Sequence, residues 1–413
     1  MKTGLFSFHT PNTPHPQEED ALAALRLIRS RRVGPATWLR LVAEHGDPAT
    51  ALAALPQVAA QSGMTDYTPC PMGVARAEWK AGQKAGARLL VHGLPGYPAA
   101  LLDLADAPPV LWALGDVTLL DRPMVALVGA RNASSLGLRM ARHLAAELGA
   151  AGQVVVAGLA RGIDTAAHQA ALDTGTIAVQ AGGVDHVYPA ENGDLATQIA
   201  AQGLRLSEGP MGAEPQARHF PQRNRIIAGL SRAVVVVEAA HKSGSLITAR
   251  LALDQGREVM AVPGHPFDAR AAGANDLIRD GATLVRGAGD VLAALGVDRP
   301  HREAAPRAAP QCPSGPHPHS QPGLRERVQT ALHTRPSTLA AQGVSHLVDR
   351  LRGKDGQRLH QRILDRLGPS PLPEDDLLAD LALPLAQVSP ALLELELRGD
   401  IQRSAGGMLS RTG

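Results

Sequence analysis

Lysine is nearly missing from this chain of 413 residues: it occurs only at Lys2, Lys80, Lys84, Lys242 and Lys354. Nearly every other cation is arginine, which reads as codon bias more than as selection for guanidinium chemistry. There are only two cysteines, Cys70 and Cys312, far apart and without a CxxC partner. That excludes a disulfide framework, offers no structural zinc and fits a reducing cytoplasm. No apolar run approaches the roughly 20 residues that span a bilayer. The opening stretch "MKTGLFSFHTPNTPHPQ" lacks the apolar segment of a signal peptide. A soluble cytoplasmic protein with no membrane partner is expected. Charge of one sign is not in excess either. The formal net charge is +2, so bulk electrostatics does not announce nucleic acid and any anion site has to be local. A GxGxxG after a strand is absent, which disfavours NAD or FAD, and no cofactor is expected. Aromatics are 2% of the chain, so the placement of each one carries information.

The length predicts two or three domains. Residues 1–17, rich in Pro, His, Thr and Asn, read as a disordered tail. Helical periodicity takes over across 18–75, as short helices joined by tight turns. Within it, "RRVGPATWLRL" has half of a helix-hairpin-helix signature. Gly34 and Pro35 suit the hairpin, but Arg32 stands where its first glycine is expected. DNA contact there and a plain helical bundle both stay open. Across 85–296 the pattern changes to short β-branched runs alternating with helical segments: "MVALVGA", "QVVVAG", "TIAVQAG", "AVVVVEAA" and "EVMAVPG". Continuous apolar runs followed by glycine turns are what buried parallel strands look like. The fold class is α/β, a doubly wound Rossmann-like parallel sheet. Residues 297–355 read as a Pro- and His-rich linker, whose histidines lack the regular spacing of a metal site. Residues 357–413 read as three helices and a hairpin with a Gly-Gly turn, a winged-helix pattern.

In open parallel sheets, ligands bind at the carboxyl ends of the strands, so the turns there matter most. In "VGARNASSLG", Gly129 permits close backbone approach, Arg131 brings a fork of donors and Ser134 or Ser135 caps a helix. In "AGLARGIDTAAHQAAL", Gly158 and Gly162 flank Arg161, and Asp164 or Thr165 opens a helix. Both turns suit an anion at a helix N-terminus. His168 fits a buried structural histidine better than a catalytic one, and Asp164 fits a cap or an arginine's partner better than an acid catalyst. In "HKSGSLITA", Lys242, Ser243 and Gly244 precede another helix, and a lysine here stands out in a chain so poor in it. The segment "ARHFPQRNRIIAGLS" sets Phe220 among Arg218, Arg223 and Arg225. Phe220 either offers its face to a nucleobase or anchors the core. The arginines either hold phosphates or pair with Glu208 or Glu238.

Together "VALVGAR", "GLARGIDTAAH", "GGVDHVYPAEN", "SEGP", "FPQRNRIIAGLS", "VVEAAHKSGSLITA" and "VPG" followed by "GANDLIRDGA" resemble the DNA processing protein A (DprA/Smf) family, over about Tyr97 to Gly296. The N-terminal helices resemble that family's SAM-like domain and the C-terminal block its winged helix. The resemblance implies a non-enzymatic protein that binds single-stranded DNA, displaces single-strand-binding protein and loads the RecA recombinase during natural transformation and possibly in DNA repair. It also implies a homodimer. Carried over by motif, the DNA site comprises Arg131, then Arg218, Phe220, Arg223, Asn224 and Arg225, then Lys242, Ser243 and Gly244. Arg161 is added from its place in the second turn. "GANDLIRDGATLV" offers Leu277, Ile278 and Leu284 for the dimer contact. The long linker departs from the family, as does Ala130, where the family's usual serine would offer a hydroxyl. In the winged-helix block acids outnumber bases, which favours protein contact or weak DNA contact, since a phosphate reader should be basic. Two other readings are a nucleotide or phosphoribose hydrolase, with Glu208 and Glu238 as the nearest glutamates, and a winged-helix regulator, which that acidity disfavours.

Overall fold

The computed structural model describes residues 16–64, 66–297, 354–404 and 408–412. They divide into two units, the boundary falling after residue 298. Residues 1–15 of the expected tail and 298–353 of the expected linker lie outside the described residues.

The first unit opens with four helices: α1 (Pro16–Arg29), α2 (Pro35–His45), α3 (Pro48–Gln61) and α4 (Met72–Lys84). Prolines begin α2 and α3, where a missing N–H costs nothing. Asp47 caps α3 by accepting from the Thr50 amide at 2.8 Å. Leu22, Leu25, Trp38, Leu41, Leu52 and Leu55 fill the layer between them. Pro16 and Gln17, placed in the tail by composition, thus belong to α1, and helix continues past 75 to Lys84. Gly82 marks where that extension packs on the sheet. A Cβ there would lie 2.2 Å from the Trp112 ring, so the glycine lets α4 seat that indole. Trp112 Nε1 donates to Glu78 at 2.9 Å, and Glu78 in turn pairs with Arg29 at 2.9 Å. The helical layer and the sheet therefore share one core.

Nine strands form that sheet: β1 (Arg88–Val91), β2 (Val110–Gly115), β3 (Met124–Gly129), β4 (Val154–Ala157), β5 (Thr176–Val179), β6 (Leu204–Ser207), β7 (Ala233–Glu238), β8 (Glu258–Ala261) and β9 (Thr283–Leu284). Their order is β1-β2-β6-β5-β4-β3-β7-β8-β9. Only β2 runs against its neighbours; β3 to β9 are mutually parallel. The five apolar runs are β3, β4, β5, β7 and β8. Strand β6 escaped the apolar pattern because it carries Arg205. That side chain is buried and satisfied by Gln180 Oε1 at 2.8 Å and the Val184 carbonyl at 2.5 Å. Strand β9 has two residues, both exposed.

The crossing helices are α5 (Ser135–Ala150), α6 (Ile163–Ala171), α7 (Gly193–Gln202), α8 (His219–Leu230), α9 (Gly244–Asp254), α10 (Ala272–Arg279) and α11 (Ala288–Ala294). From β3 the chain builds outward through β4, β5 and β6. It then returns along α8 to lay β7 on the other side of β3. That reversal is the topological switch at which doubly wound sheets place their ligands. Of the expected dimer residues, Leu277 and Ile278 are partly buried against the core. Leu284 is 41% exposed on the edge strand.

The second unit contains α12 (Lys354–Arg366), α13 (Glu374–Leu381) and α14 (Leu385–Leu397) with β10 (Leu372–Pro373), β11 (Ile401–Ser404) and β12 (Met408–Arg411). Its sheet order is β10-β12-β11. Ile363, Leu377, Leu392, Leu395 and Leu409 form its core. The Gly-Gly turn at 405–407 lies outside the described residues. Among the described residues no single helix is long and apolar enough to cross a membrane.

Candidate nucleic-acid interface

Beside the β3–β7 switch lies an open cleft of about 650 Å³. Strands β3, β7 and β8 are parallel, so the loops that follow them emerge at one edge. Arg131 arrives from the loop after β3, Ser243 and Gly244 from the turn after β7, and Phe220, Arg223 and Asn224 from α8. Three turns were expected to offer free amides to an anion at this edge. The structure treats them differently.

The first turn is closed by the protein's own carboxylate. Glu238 Oε1 accepts from the Ser134 amide at 2.9 Å, and the Ser134 hydroxyl donates to Glu238 Oε2. The same hydroxyl caps α5 by accepting from the Gly137 amide at 3.0 Å. Burial pushes the Glu238 pKa up, while these hydrogen bonds oppose the shift. Ser134 is therefore a cap engaged by Glu238, and Glu238 pairs with a serine where an arginine was one expected partner. Gly129 answers to packing, since a Cβ would meet Ile163 at 2.6 Å.

The second turn is closed as well. Asp164 Oδ2 accepts from the amides of Gly158 at 2.8 Å and Ala160 at 3.3 Å. His168 Nε2 accepts from the Leu159 amide at 3.3 Å, and its Nδ1 lies 2.7 Å from the Thr176 hydroxyl. That hydroxyl already donates to the Val155 carbonyl at 2.9 Å, so Nδ1 carries the ring proton. Burial, and secondarily the charge of Arg223, lowers the His168 pKa to about 3. His168 is structural. It supports Leu159, whose φ of 57° is left-handed. A Cβ on Gly158 would lie 1.3 Å from Arg223 Nη1, so this glycine is a seat for a guanidinium. Gly162, at φ 74°, has no room for a side chain against the Ala130 carbonyl, 2.3 Å from a Cβ position. The Ser134 and Gly158 amides, two of the expected phosphate donors, are thus taken by the protein's own carboxylates. Arg161 is exposed and pairs with Glu191 at 2.5 Å.

The third turn is open. Ser243 caps α9 by accepting from the Ser245 amide, and nothing lies within 4 Å of a Cβ placed on Gly244. Lys242 is exposed, with a left-handed φ of 60°. The positive end of α9 therefore faces the cleft, and among the described residues no carboxylate is bonded to it.

Helix α8 splits its basic residues. Arg223 is buried, its Nη1 donating to the Val179 carbonyl at 3.1 Å beside Asp164. Burial lowers its pKa to about 10, so it stays charged at neutral pH beneath the cleft floor. Burial also raises Asp164, against the pull of Arg223. Arg225 faces away from the cleft. Its Nη2 donates to Glu208 Oε2 at 2.5 Å, and its Nε lies 3.6 Å from Asp106. The sequence reading grouped Arg225 with the cleft residues; helical spacing separates it, because two residues along a helix is more than half a turn. Arg218 is exposed next to His219 and does not line the cleft. Phe220 is half-buried. Tyr188 meets its ring edge-on with centroids 5.8 Å apart, and the Arg131 guanidinium lies 5.2 Å above it. One ring thus stands beside a guanidinium, and aromatic rings next to arginines are the groups that single strands use for stacking and phosphate contact.

Sequence reasoning missed Arg270, Asn132, Ile247 and Thr248, which also line the cleft. Arg270 had a usable signal. The loop after any parallel strand emerges at the ligand edge, and "GHPFDAR" follows β8. Ile247 and Thr248 had none, since their exposure to the cleft follows from how α9 packs.

Family models match most of the described chain. The model for DNA recombination-mediator protein A covers residues 88–296, that for a DprA-like N-terminal HHH domain covers 18–81, and that for the DprA winged helix domain covers 352–407. The chain is 37% identical over 333 residues to protein Smf of Synechocystis, spanning 78% of this chain and 80% of that one. It is 48% identical over 202 residues to DNA processing protein DprA of Bacillus subtilis, spanning 48% of this chain and 68% of that one. The X-ray structure of DNA processing protein A from Streptococcus pneumoniae superposes with a TM-score of 0.56 at 36% identity, covering 67% of this chain and 96% of that one.

Proposed function

The chain belongs to the DNA recombination-mediator protein A family, and from that membership we propose that it binds single-stranded DNA in the cleft beside β3 and β7 and hands the strand to the RecA recombinase. The observation that carries this reading is the Arg131–Phe220 pair, 5.2 Å from guanidinium to ring centroid, in the same cleft as the uncovered end of α9. A ring face stacks on any base, while a guanidinium and helix amides take phosphates, so the constellation suits a flexible strand of any sequence. Duplex DNA keeps its bases stacked on one another and gives Phe220 nothing to hold.

A non-catalytic role goes with it. The two glutamates of the hydrolase reading each have a partner, Glu208 in Arg225 and Glu238 in Ser134. The protein acts as a homodimer that displaces single-strand-binding protein, in transformation and in repair.

The test is fluorescence anisotropy with labelled single-stranded and duplex oligonucleotides over a salt series. Tight, salt-sensitive binding that prefers the single strand is expected. Arg131→Ala should weaken it and reduce the salt slope by about one. Equal affinity for duplex, or an unchanged slope, would sink the reading.

A further inference from the structure

We propose that the loop between β8 and α10 carries a second base-stacking platform, the ring of Phe267 beside His265, for a further nucleotide of the strand held over Phe220. The inference rests on the single-stranded DNA reading and extends it.

Phe267 is 89% exposed, the most exposed large apolar side chain among the described residues. Exposure alone would mean little, since single apolar residues are common on surfaces. This ring, however, sits on a tightly bonded loop. The Gly264 amide and carbonyl both bond the Asn275 side chain, at 3.0 and 3.1 Å. The Asp268 amide donates to the His265 carbonyl and the Ala271 amide to the Asp268 carbonyl, each at 2.9 Å. Arg270 forks onto Asp268, with Nε and Nη2 both at 3.0 Å. The Phe267 amide donates to His265 Nδ1 at 3.3 Å, and the two rings stand 5.8 Å apart at 42°. Chain that is bonded this fully presents its ring at a fixed place, which lowers the entropy cost of capturing a base.

The loop is also continuous with the cleft. Arg270 lines it alongside Ser243 and Gly244. Phe220 and Phe267 are the two phenylalanines among the described residues, and both lie at the ligand edge of the sheet. Arg270, three residues on from Phe267, lines the same cleft as Phe220 and the end of α9. Rings interleaved with phosphate-binding groups form a track for a single strand. A protein partner would instead be met by a contiguous apolar patch.

The test uses the full chain with Phe267→Ala, Phe267→Trp and Phe220→Ala. Probes are oligothymidylates of about 4 and about 16 nucleotides, the range of strand lengths that such grooves cover. Phe267→Ala should weaken the longer probe by about 5- to 100-fold. It should leave the short probe and the salt slope unchanged, because stacking releases no counterions. Phe267→Trp should keep the affinity, with its fluorescence quenched by the longer probe. If Phe220→Ala weakens the longer probe and Phe267→Ala does not, the second platform is refused while the cleft stands. If the wild-type chain binds neither probe, the cleft reading fails and the platform with it. If Phe267→Ala changes only the mass measured by light scattering, a second copy covers the ring and the proposal is overturned.

Discussion

Arg223 and Arg225 stand two positions apart and do opposite things. One holds up the cleft floor, seated on Gly158 beside Asp164; the other is clamped to Glu208 and Asp106 on the far side of α8. Arg223→Ala would remove the guanidinium that offsets the burial of Asp164 and empty the seat on Gly158. A loss of about 3–5 kcal/mol in urea unfolding is expected, whereas exposed Arg131→Ala should cost under about 0.5 kcal/mol. A loss of DNA binding in an arginine variant of α8 is thus informative only with a stability measurement beside it. His168 supplies a pH test. The folded protein holds its ring neutral, with a pKa lowered from 6.5 to about 3. The unfolded chain takes up a proton below the ordinary value. Its stabilising contribution is complete above pH 6.5 and declines as pH falls toward 3. His168→Ala, which strips the Leu159 amide of its acceptor, should cost about 1–3 kcal/mol at neutral pH. It should also lose less stability on acidification than the wild type, measured by thermal unfolding across that range.

Three of the helices that begin at the ligand edge follow turns that looked fit for an anion, and what sits on each of these turns separates structure from function. Glu238 takes the Ser134 amide at the start of α5 and Asp164 takes the Gly158 and Ala160 amides in the turn before α6, so those donors are withdrawn from a ligand phosphate. Among the described residues, no such carboxylate sits on the start of α9. Gly244→Asp tests this directly. A carboxylate in the first turn should leave α9 as stable or up to about 1 kcal/mol more so, and there is space for it. Single-strand affinity should nevertheless fall about tenfold by repulsion of phosphate, roughly the effect of 1.4 kcal/mol. Ser134→Ala should do the reverse, costing about 1 kcal/mol of cap energy with affinity unchanged. Anisotropy and thermal melts on the two variants separate the roles. From sequence all three turns looked alike, each with glycine, a short polar cap and a nearby cation. What closes the first is far along the chain, since Glu238 lies 104 residues from Ser134, while the second is closed by Asp164 of its own motif.

At the scale of the whole molecule, charge is distributed and not pooled. A net charge of +2 leaves the cleft to attract phosphate through Arg131, Arg223 and the end of α9. In the second unit, α14 carries exposed Leu393 and Leu397, while Glu394 pairs with Arg398 and Glu396 with Arg403. An apolar, charge-balanced helix face is poorly suited to a phosphate backbone. For the proposed dimer, the three leucine and isoleucine candidates divide by burial. Leu284→Asp, on an exposed edge strand, should convert dimer to monomer in light scattering without loss of fold. Leu277→Asp should destabilise the protomer itself, because Leu277 packs against the core. Dissociation by neither variant would place the dimer contact elsewhere.

Much of this protein was legible from its sequence. The five apolar runs and the helices between them define a doubly wound sheet, because burial on both faces writes itself as continuous β-branched stretches. Motif order identified the family for the same chain. Strands β1, β2, β6 and β9 were not among those runs; a buried arginine hid β6 and exposure hid the short β9. The division of labour among the charged residues was decided only by tertiary structure. Whether a guanidinium meets solvent, a carboxylate or a glycine seat depends on groups far away in sequence, and neither periodicity nor composition records those neighbours.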